Sequence, residues 1–427
     1  MPASQEREKI PAKPPGSFRL LHTADWHLGK LLNDRSRDEE HAQFLEWLLV
    51  VVQDHEVDAI VLAGDVFDTA NPPQSALARY FNFVSELFRQ GDCALLAIAG
   101  NHDSAAQLEA PKQALHALNT YVVGALAEDP QDRILCLPDA ASPRVAIAMV
   151  PFLRDRDLRV GKPGETAEEI RASIIEGIEK RYRETAAAAA SLDCPVLATG
   201  HLTVSGATIS DSEREIHIGG LGAVTPGSFP AAFPYLALGH LHRPQAVGDN
   251  PGIRYAGSPI PLSFSEASDR KQVRVLDVVG DTITQHGLAI PVSRRLVQLR
   301  TRYAELEKSL KELQPETGSL TTWMEVVVED ATLQDDLVER VRQLTQGRDF
   351  EVLKVLRGSP SAFTGMNVDE ATDDEAIASL LGDPRAVFKR LLEEHEEPLE
   401  AQEIVELEMT FARLVELEEQ SEPHPVV

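Results

Sequence analysis

At 427 residues, with 43% hydrophobic and 26% charged content, the chain can fill two or three domain cores and lacks the composition of a disordered or membrane-embedded protein. Its net charge of −27 excludes binding nucleic acid by bulk attraction, so any such contact needs metals, local patches or a partner subunit. The charge is uneven: residues 357–427 hold 18 Asp/Glu against 5 Lys/Arg, so the tail carries almost half of the excess.

Residues 1–17 are polar and proline-rich without an apolar h-region, which predicts a disordered leader rather than a signal peptide. Cys93, Cys136 and Cys194 form no CxxC pair, which argues for a reducing compartment and against structural zinc. No apolar run approaches the ~18 residues of a membrane span. A cytoplasmic location is the expectation.

A first strand from Phe18 ends at Asp25, followed by Trp26-His27. Residues 37–54 read as a helix with Phe44, Leu48, Val51 and Val52 on its buried stripe. Ile60-Val61-Leu62-Ala63 is a buried parallel strand that stops at Gly64-Asp65, with Asp68 three residues on. Residues 74–90 are helical with two apolar stripes: Leu77, Phe81, Val84 and Phe88 on one, Tyr80, Phe83 and Leu87 on the other. So wide an arc suits either a neighbouring helix or a dimer face, and the second stripe is the expected dimer face.

The design of strand, glycine and polar residue then recurs. Residues 93–100 open onto Asn101-His102-Asp103, residues 195–200 end at His201, and residues 235–239 end at His240-Leu241-His242. Between them lie a strand at 145–150 and a long helix at 167–190. Strands alternating with helices predict an α/β sandwich. From about 290 the texture changes to strands at 296–300, 323–328 and 350–356 with helices at 302–313 and 332–346, a small α+β module without candidate ligands. Residues 358–372 read as a linker, and helices interrupted by Pro384 and Pro398 follow.

In open α/β sheets ligands gather at the carboxyl ends of strands, which is where these side chains lie. Carboxylates, imidazoles and one amide oxygen without thiolate suit Mn²⁺, Fe²⁺ or Zn²⁺. Two such ions ~4 Å apart activate a water and clamp a phosphate, and Asp65 is the expected bridge between them.

The series Asp25-x-His27, Gly64-Asp65, Asn101-His102, His201 and His240-x-His242 resembles the calcineurin-like metallophosphoesterases. That resemblance implies a sandwich of mixed sheets flanked by helices. It assigns Asp25, His27, Asp65 and His242 to one metal, and Asp65, Asn101, His201 and His240 to the other. It makes His102 the general acid on the leaving oxygen, with Asp68 orienting it.

A narrower resemblance, over residues 18–356, is to the SbcD family of nuclease subunits. It is carried by HTADWHLGK, AGDVFDTANPP, AGNHDS, ATGHLT, ALGHLHRPQ and the segment from Arg254 through Gly257-Ser258-Pro259 to Phe264. It implies Mn²⁺-dependent 3′→5′ exonuclease action on duplex ends, endonuclease action on single strands and hairpins, and an SbcC-type ABC ATPase as partner in DNA end processing and repair. No Gly-x-x-x-x-Gly-Lys-Ser/Thr loop occurs in this chain, so nucleotide hydrolysis belongs to that partner. A homodimer within a heterotetramer is also implied. The expected domains are a nuclease domain at 18–288, a capping domain at 289–357, the linker, and acidic helices at 373–427. In the last helix Ile404, Leu407, Phe411 and Leu414 form a stripe suited either to the partner or to a neighbouring helix. The alternative activity is that of a stand-alone phosphatase or small-molecule phosphodiesterase.

Overall fold

The computed structural model describes residues 10–160, 166–208, 224–313, 318–330 and 336–357. The expected linker, the acidic helices and the Ile404, Leu407, Phe411 and Leu414 stripe lie outside the described residues.

Strands β1 (Phe18–Thr23), β2 (Ala59–Ala63), β3 (Ala94–Ile98) and β4 (Thr120–Val123) run parallel, each paired with the next. Helix α1 (Asp38–Asp54) joins β1 to β2, and α2 (Gln74–Gln90) joins β2 to β3. The chain then builds a second sheet from β5 (Ile134–Leu137), β6 (Val145–Ala148), β7 (Val196–His201), β8 (Leu236–Gly239), β9 (Gln245–Val247) and β10 (Asn250–Tyr255), in the order β9-β10-β8-β7-β6-β5. Helix α3 (Ala167–Ala189) crosses between β6 and β7. The hairpin β11 (Gln272–Val279) and β12 (Thr282–Ala289) returns to the first sheet, where β11 lies antiparallel beside β1.

Burial with a two-residue period explains the layering. Leu20, Val61, Leu96 and Ile98 meet Ile147, Leu197 and Ala237 between the sheets. The alternate residues Leu21, Ile60, Leu62 and Leu95 face α1 and α2 on the outer side. Ala146, Ala198, Leu236 and Leu238 face Ile174, Ile178 and Tyr182 of α3. Strands apolar on both faces are what two packed sheets with helical covers require.

A third, parallel sheet of β13 (Arg294–Thr301), β14 (Leu320–Val328) and β15 (Phe350–Arg357) has its own core. Helices α4 (Leu306–Glu312) and α5 (Leu337–Thr345) contribute Leu306, Leu310, Leu337 and Val341 to it, against Met324, Val326 and Val328.

Two expectations need correction. The stripe of Tyr80, Phe83 and Leu87 is not a dimer face: all three are buried in the chain's own core. Phe83 packs edge-on against Trp26, 5.3 Å between ring centres, and Tyr80 against Phe67 at 5.6 Å. The outward residues of α2 are Phe81 and Phe88, 40% and 45% exposed. Nor is the whole leader loose. Ile10 is buried in the core, Pro11 O accepts from Arg19 Nη2 at 3.1 Å, and Lys13 pairs with Asp58 at 2.6 Å. The partner of that strap is the buried Arg19, which β11 clamps through Asp277 at 2.7 and 2.8 Å.

Candidate metal centre

The carboxyl ends of β1, β2, β3, β7 and β8 open on one edge of the sandwich, and the polar residues just beyond them converge. The loops after β1 and β2 are zipped together by backbone bonds from Asp25 N to Gly64 O, His27 N to Asp65 O and Leu28 N to Val66 O, each 3.0 Å. Buried Trp26, between the first two candidates, donates to Thr23 Oγ1 at 3.0 Å and packs against Phe44 and Phe83. Asp25, His27, Asp65 and His240 all have positive φ, between 46° and 96°. Non-glycine residues adopt that region only where the surroundings hold them there, and such strain gathers at functional sites.

Close approach between the two sheets depends on two glycines. A Cβ on Gly239 would lie 1.9 Å from Ala63 O, and one on Gly64 would lie 2.2 Å from His201 Nδ1. Without them β8 and His201 of β7 could not lie against the end of β2.

The geometry brings the seven candidate ligands together. Asp65 Oδ2 is 3.5 Å from His27 Nε2 and 3.2 Å from His201 Nε2. His201 Nδ1 donates to Ala63 O at 2.9 Å, which leaves Nε2 facing the cluster. Asn101 Oδ1 is 2.9 Å from that Nε2 and 3.0 Å from His240 Nδ1. Asp25 Oδ1 accepts from His240 N at 2.8 Å, and the rings of His27 and His242 are 5.1 Å apart.

Three observations fit this donor set to divalent cations. Asp25 Oδ2 and His27 Nε2 are buried without a hydrogen-bond partner. Ligand atoms of Asp25, Asp65 and His201, and of His27, Asp65 and His102, come within 4.8 Å of one another, with Asp65 common to both groups. The charges also call for a cation. Burial pushes Asp25 up to about 7 despite His201 and His242. Burial would raise Asp65 too, but His201 and His27 hold it well below the usual carboxylate range. His201, lowered by burial, is raised to about 9 by Asp65 and Asp25, whereas burial takes His27 down to about 4 against its bond to Asp68. The centre of the cluster attracts positive charge, and oxygen and imidazole donors suit a borderline divalent metal.

His102 stands beside this group, its ring 4.9 Å from that of His27, and its backbone N–H donates to Asp65 Oδ1 at 2.9 Å. The expected role of Asp68 needs correction. Its carboxylate binds His27 Nδ1 and Lys30 Nζ, each at 3.1 Å, while His102 Nδ1 donates to the Asp68 backbone carbonyl at 2.8 Å. The backbone of Asp68 orients His102; its side chain orients His27.

Two buried acids escape a reading of the sequence. Asp103 accepts from Val66 N at 3.1 Å, Phe67 N at 3.0 Å and Gly100 N at 2.9 Å, latching the loops that carry Asp65 and Asn101. Glu266 accepts from His242 Nδ1 at 3.2 Å. Asp103 follows directly on Asn101-His102, a signal that could have been used; Glu266 stands 24 residues beyond its histidine, with none.

Residues 18–244 match the family model for the calcineurin-like phosphoesterases, and residues 292–396 match one described as a type 5 capsule protein repressor C-terminal domain. Among curated relatives, the chain is 38% identical over 345 residues to the SbcD subunit of the SbcCD nuclease of Escherichia coli K12, covering 80% of this chain and 85% of that one. The SbcD subunits of the Rhodobacter capsulatus and Bacillus subtilis nucleases are 39% and 35% identical, over 66% of this chain and 71% and 72% of theirs. With its candidate ligands gathered at the strand ends and these relatives along most of its length, the chain belongs to the calcineurin-like phosphoesterases, in the SbcD family of SbcCD nuclease subunits.

Proposed function

We propose that this chain is the nuclease subunit of an SbcC–SbcD-type complex, hydrolysing DNA phosphodiesters at a two-metal centre. The observation that carries the reading is the buried donor cluster around Asp65, with Asp25 Oδ2 and His27 Nε2 unpartnered at its centre. Asp25, His27, Asp65 and His242 would hold one cation and Asp65, Asn101, His201 and His240 the other, with Mn²⁺ the favoured metal. When bound, the cations supply Lewis acidity and lower the pKa of water. Asp65 offsets their mutual repulsion. With Nδ1–H committed to the Asp68 carbonyl, the proton given to the leaving oxygen is a second one carried on His102 Nε2. Asp68 fixes the tautomer of His27 through Nδ1, leaving Nε2 as its ligand atom.

The substrate is DNA: duplex ends degraded 3′→5′, and hairpins or single strands nicked. The module of β13–β15 caps the site, seated on the sandwich through Leu32, Phe264, Leu296 and Trp323. An SbcC-type ATPase is the partner, docked through the stripe of Ile404, Leu407, Phe411 and Leu414. A second copy of the chain associates through the outward stripe of α2 that holds Phe81 and Phe88.

The test is cleavage of a labelled hairpin and a blunt duplex with Mn²⁺. Asp65→Asn and His102→Gln should abolish or cripple both reactions. Turnover of small phosphate esters with indifference to DNA would instead favour a stand-alone phosphatase. Deleting residues 373–427 should end co-purification with the ATPase, and retention would remove the dock from that segment.

A further inference from the structure

His242 is held from behind by a buried polar cluster. Ser258, Glu266 and Lys271 are all buried, as is His242 itself. Glu266 Oε1 faces His242 Nδ1 at 3.2 Å, and because a carboxylate only accepts, Nδ1 carries the hydrogen and Nε2 is left for the site. The other oxygen, Oε2, accepts from Lys271 Nζ at 2.7 Å and Leu262 N at 3.1 Å. Lys271 also donates to His242 O at 2.9 Å and to Ser258 Oγ at 3.0 Å. Ser258 N donates to the same carbonyl at 3.0 Å. Gly257 lets this happen: a Cβ there would lie 2.5 Å from His242 O.

The segment that supplies Ser258 and Glu266 also seats the small module. Pro261 O accepts from Arg37 Nη1 at 2.7 Å. Arg37 and Arg294 share Glu40, at 2.7 and 2.9 Å, and the Arg294 guanidinium lies 3.9 Å from the Trp323 ring centre. Phe264, two residues before Glu266, is buried with Leu32, Leu296 and Trp323. One stretch of nine residues therefore touches a candidate ligand at both of its ends and, through Phe264, the β13–β15 module.

We infer that Glu266 is a positioning residue for His242, and that residues 258–266 are a brace through which the seating of the β13–β15 module sets the affinity of the cation His242 holds. This deepens the two-cation reading and rests on it. Only the cation held by His242 should feel the brace, because the other takes its ligands from Asp65, Asn101, His201 and His240.

The experiment is equilibrium Mn²⁺ binding to the full chain by calorimetric titration, with free Mn²⁺ followed by electron paramagnetic resonance. Wild type should bind two ions and Asp65→Asn should lose that stoichiometry; if wild type does not bind two, the two-cation reading itself falls. Glu266→Gln should weaken one ion by ~10–100-fold and spare the other. Because that variant leaves the Lys271 ammonium buried beside an amide, Glu266→Gln/Lys271→Met is measured in parallel, and Glu266→Asp should recover part of the loss. Trp323→Ala, in the module against Phe264 of the brace, should weaken the same ion by a smaller factor. Two ions at wild-type affinity in the double variant, or equal weakening of both, overturns the positioning role while the two-cation reading stands. Unchanged binding in Trp323→Ala overturns the transmission from the module.

Discussion

The strand-end edge of the sandwich and the β13–β15 module are built from the same parts and use them oppositely. In the module, apolar side chains of a parallel sheet meet two amphipathic helices in a core of leucine, valine, methionine and phenylalanine. At the strand-end edge, buried aspartates and histidines replace apolar side chains, four of them at positive φ and two with atoms lacking partners. Isolated buried charge is costly unless it is paired or binds a metal. Stability in the first region comes from packing, and the second region tolerates strain because the two sheets and their helices hold it in place.

That contrast is open to direct attack. Asp65→Asn should bring DNA cleavage to background, and His102→Gln should lower it by ~10²–10⁴-fold with Mn²⁺ binding retained, both read by hairpin nicking. Gly239→Ala, which drives a Cβ into the Ala63 carbonyl, should lower the cleavage rate about 100-fold by displacing the histidines. In the module, Met324→Ala should cost about 2–5 kcal/mol in a denaturant melt and leave the number of bound Mn²⁺ ions unchanged. A loss of both ions in Met324→Ala would erase the distinction between the regions.

Smaller effects sharpen it further. His22, between the sheets, bonds Tyr235 Oη at 2.9 Å, and burial lowers it to about 3 despite its contact with the Leu238 carbonyl. A histidine depressed in the folded state contributes stability above the unfolded value of 6.5 that is lost as pH falls toward 3. His22→Gln should flatten that part of a melting-temperature profile against pH. Phe81→Glu on the outer stripe of α2 should leave the monomer folded and shift sedimentation toward it, whereas Phe83→Glu should unfold the chain.

The sequence makes the metal edge legible because the candidate ligands follow short apolar runs that read as buried strands. It does not show which stripe of α2 faces inward, since Tyr80-Phe83-Leu87 and Leu77-Phe81-Phe88 are equally apolar and only the position of Trp26 and Phe67 decides. The hairpin β11–β12 is hidden because its mixture of Gln272, Arg274 and Asp277 with valines matches no single period; Asp277 is turned to Arg19. The role of Asp68 differs from expectation because spacing places a residue near a histidine without distinguishing its carbonyl from its carboxylate. Asp103 and Glu266 act on groups that leave no trace in spacing: backbone N–H donors in one case, a histidine on a distant loop in the other.

The most direct measurement is anomalous diffraction from crystals of the full chain grown with Mn²⁺. The account predicts two peaks ~4 Å apart with the Asp65 carboxylate between them and His102 beside them without ligating either. A single peak, or two that do not share Asp65, would contradict it.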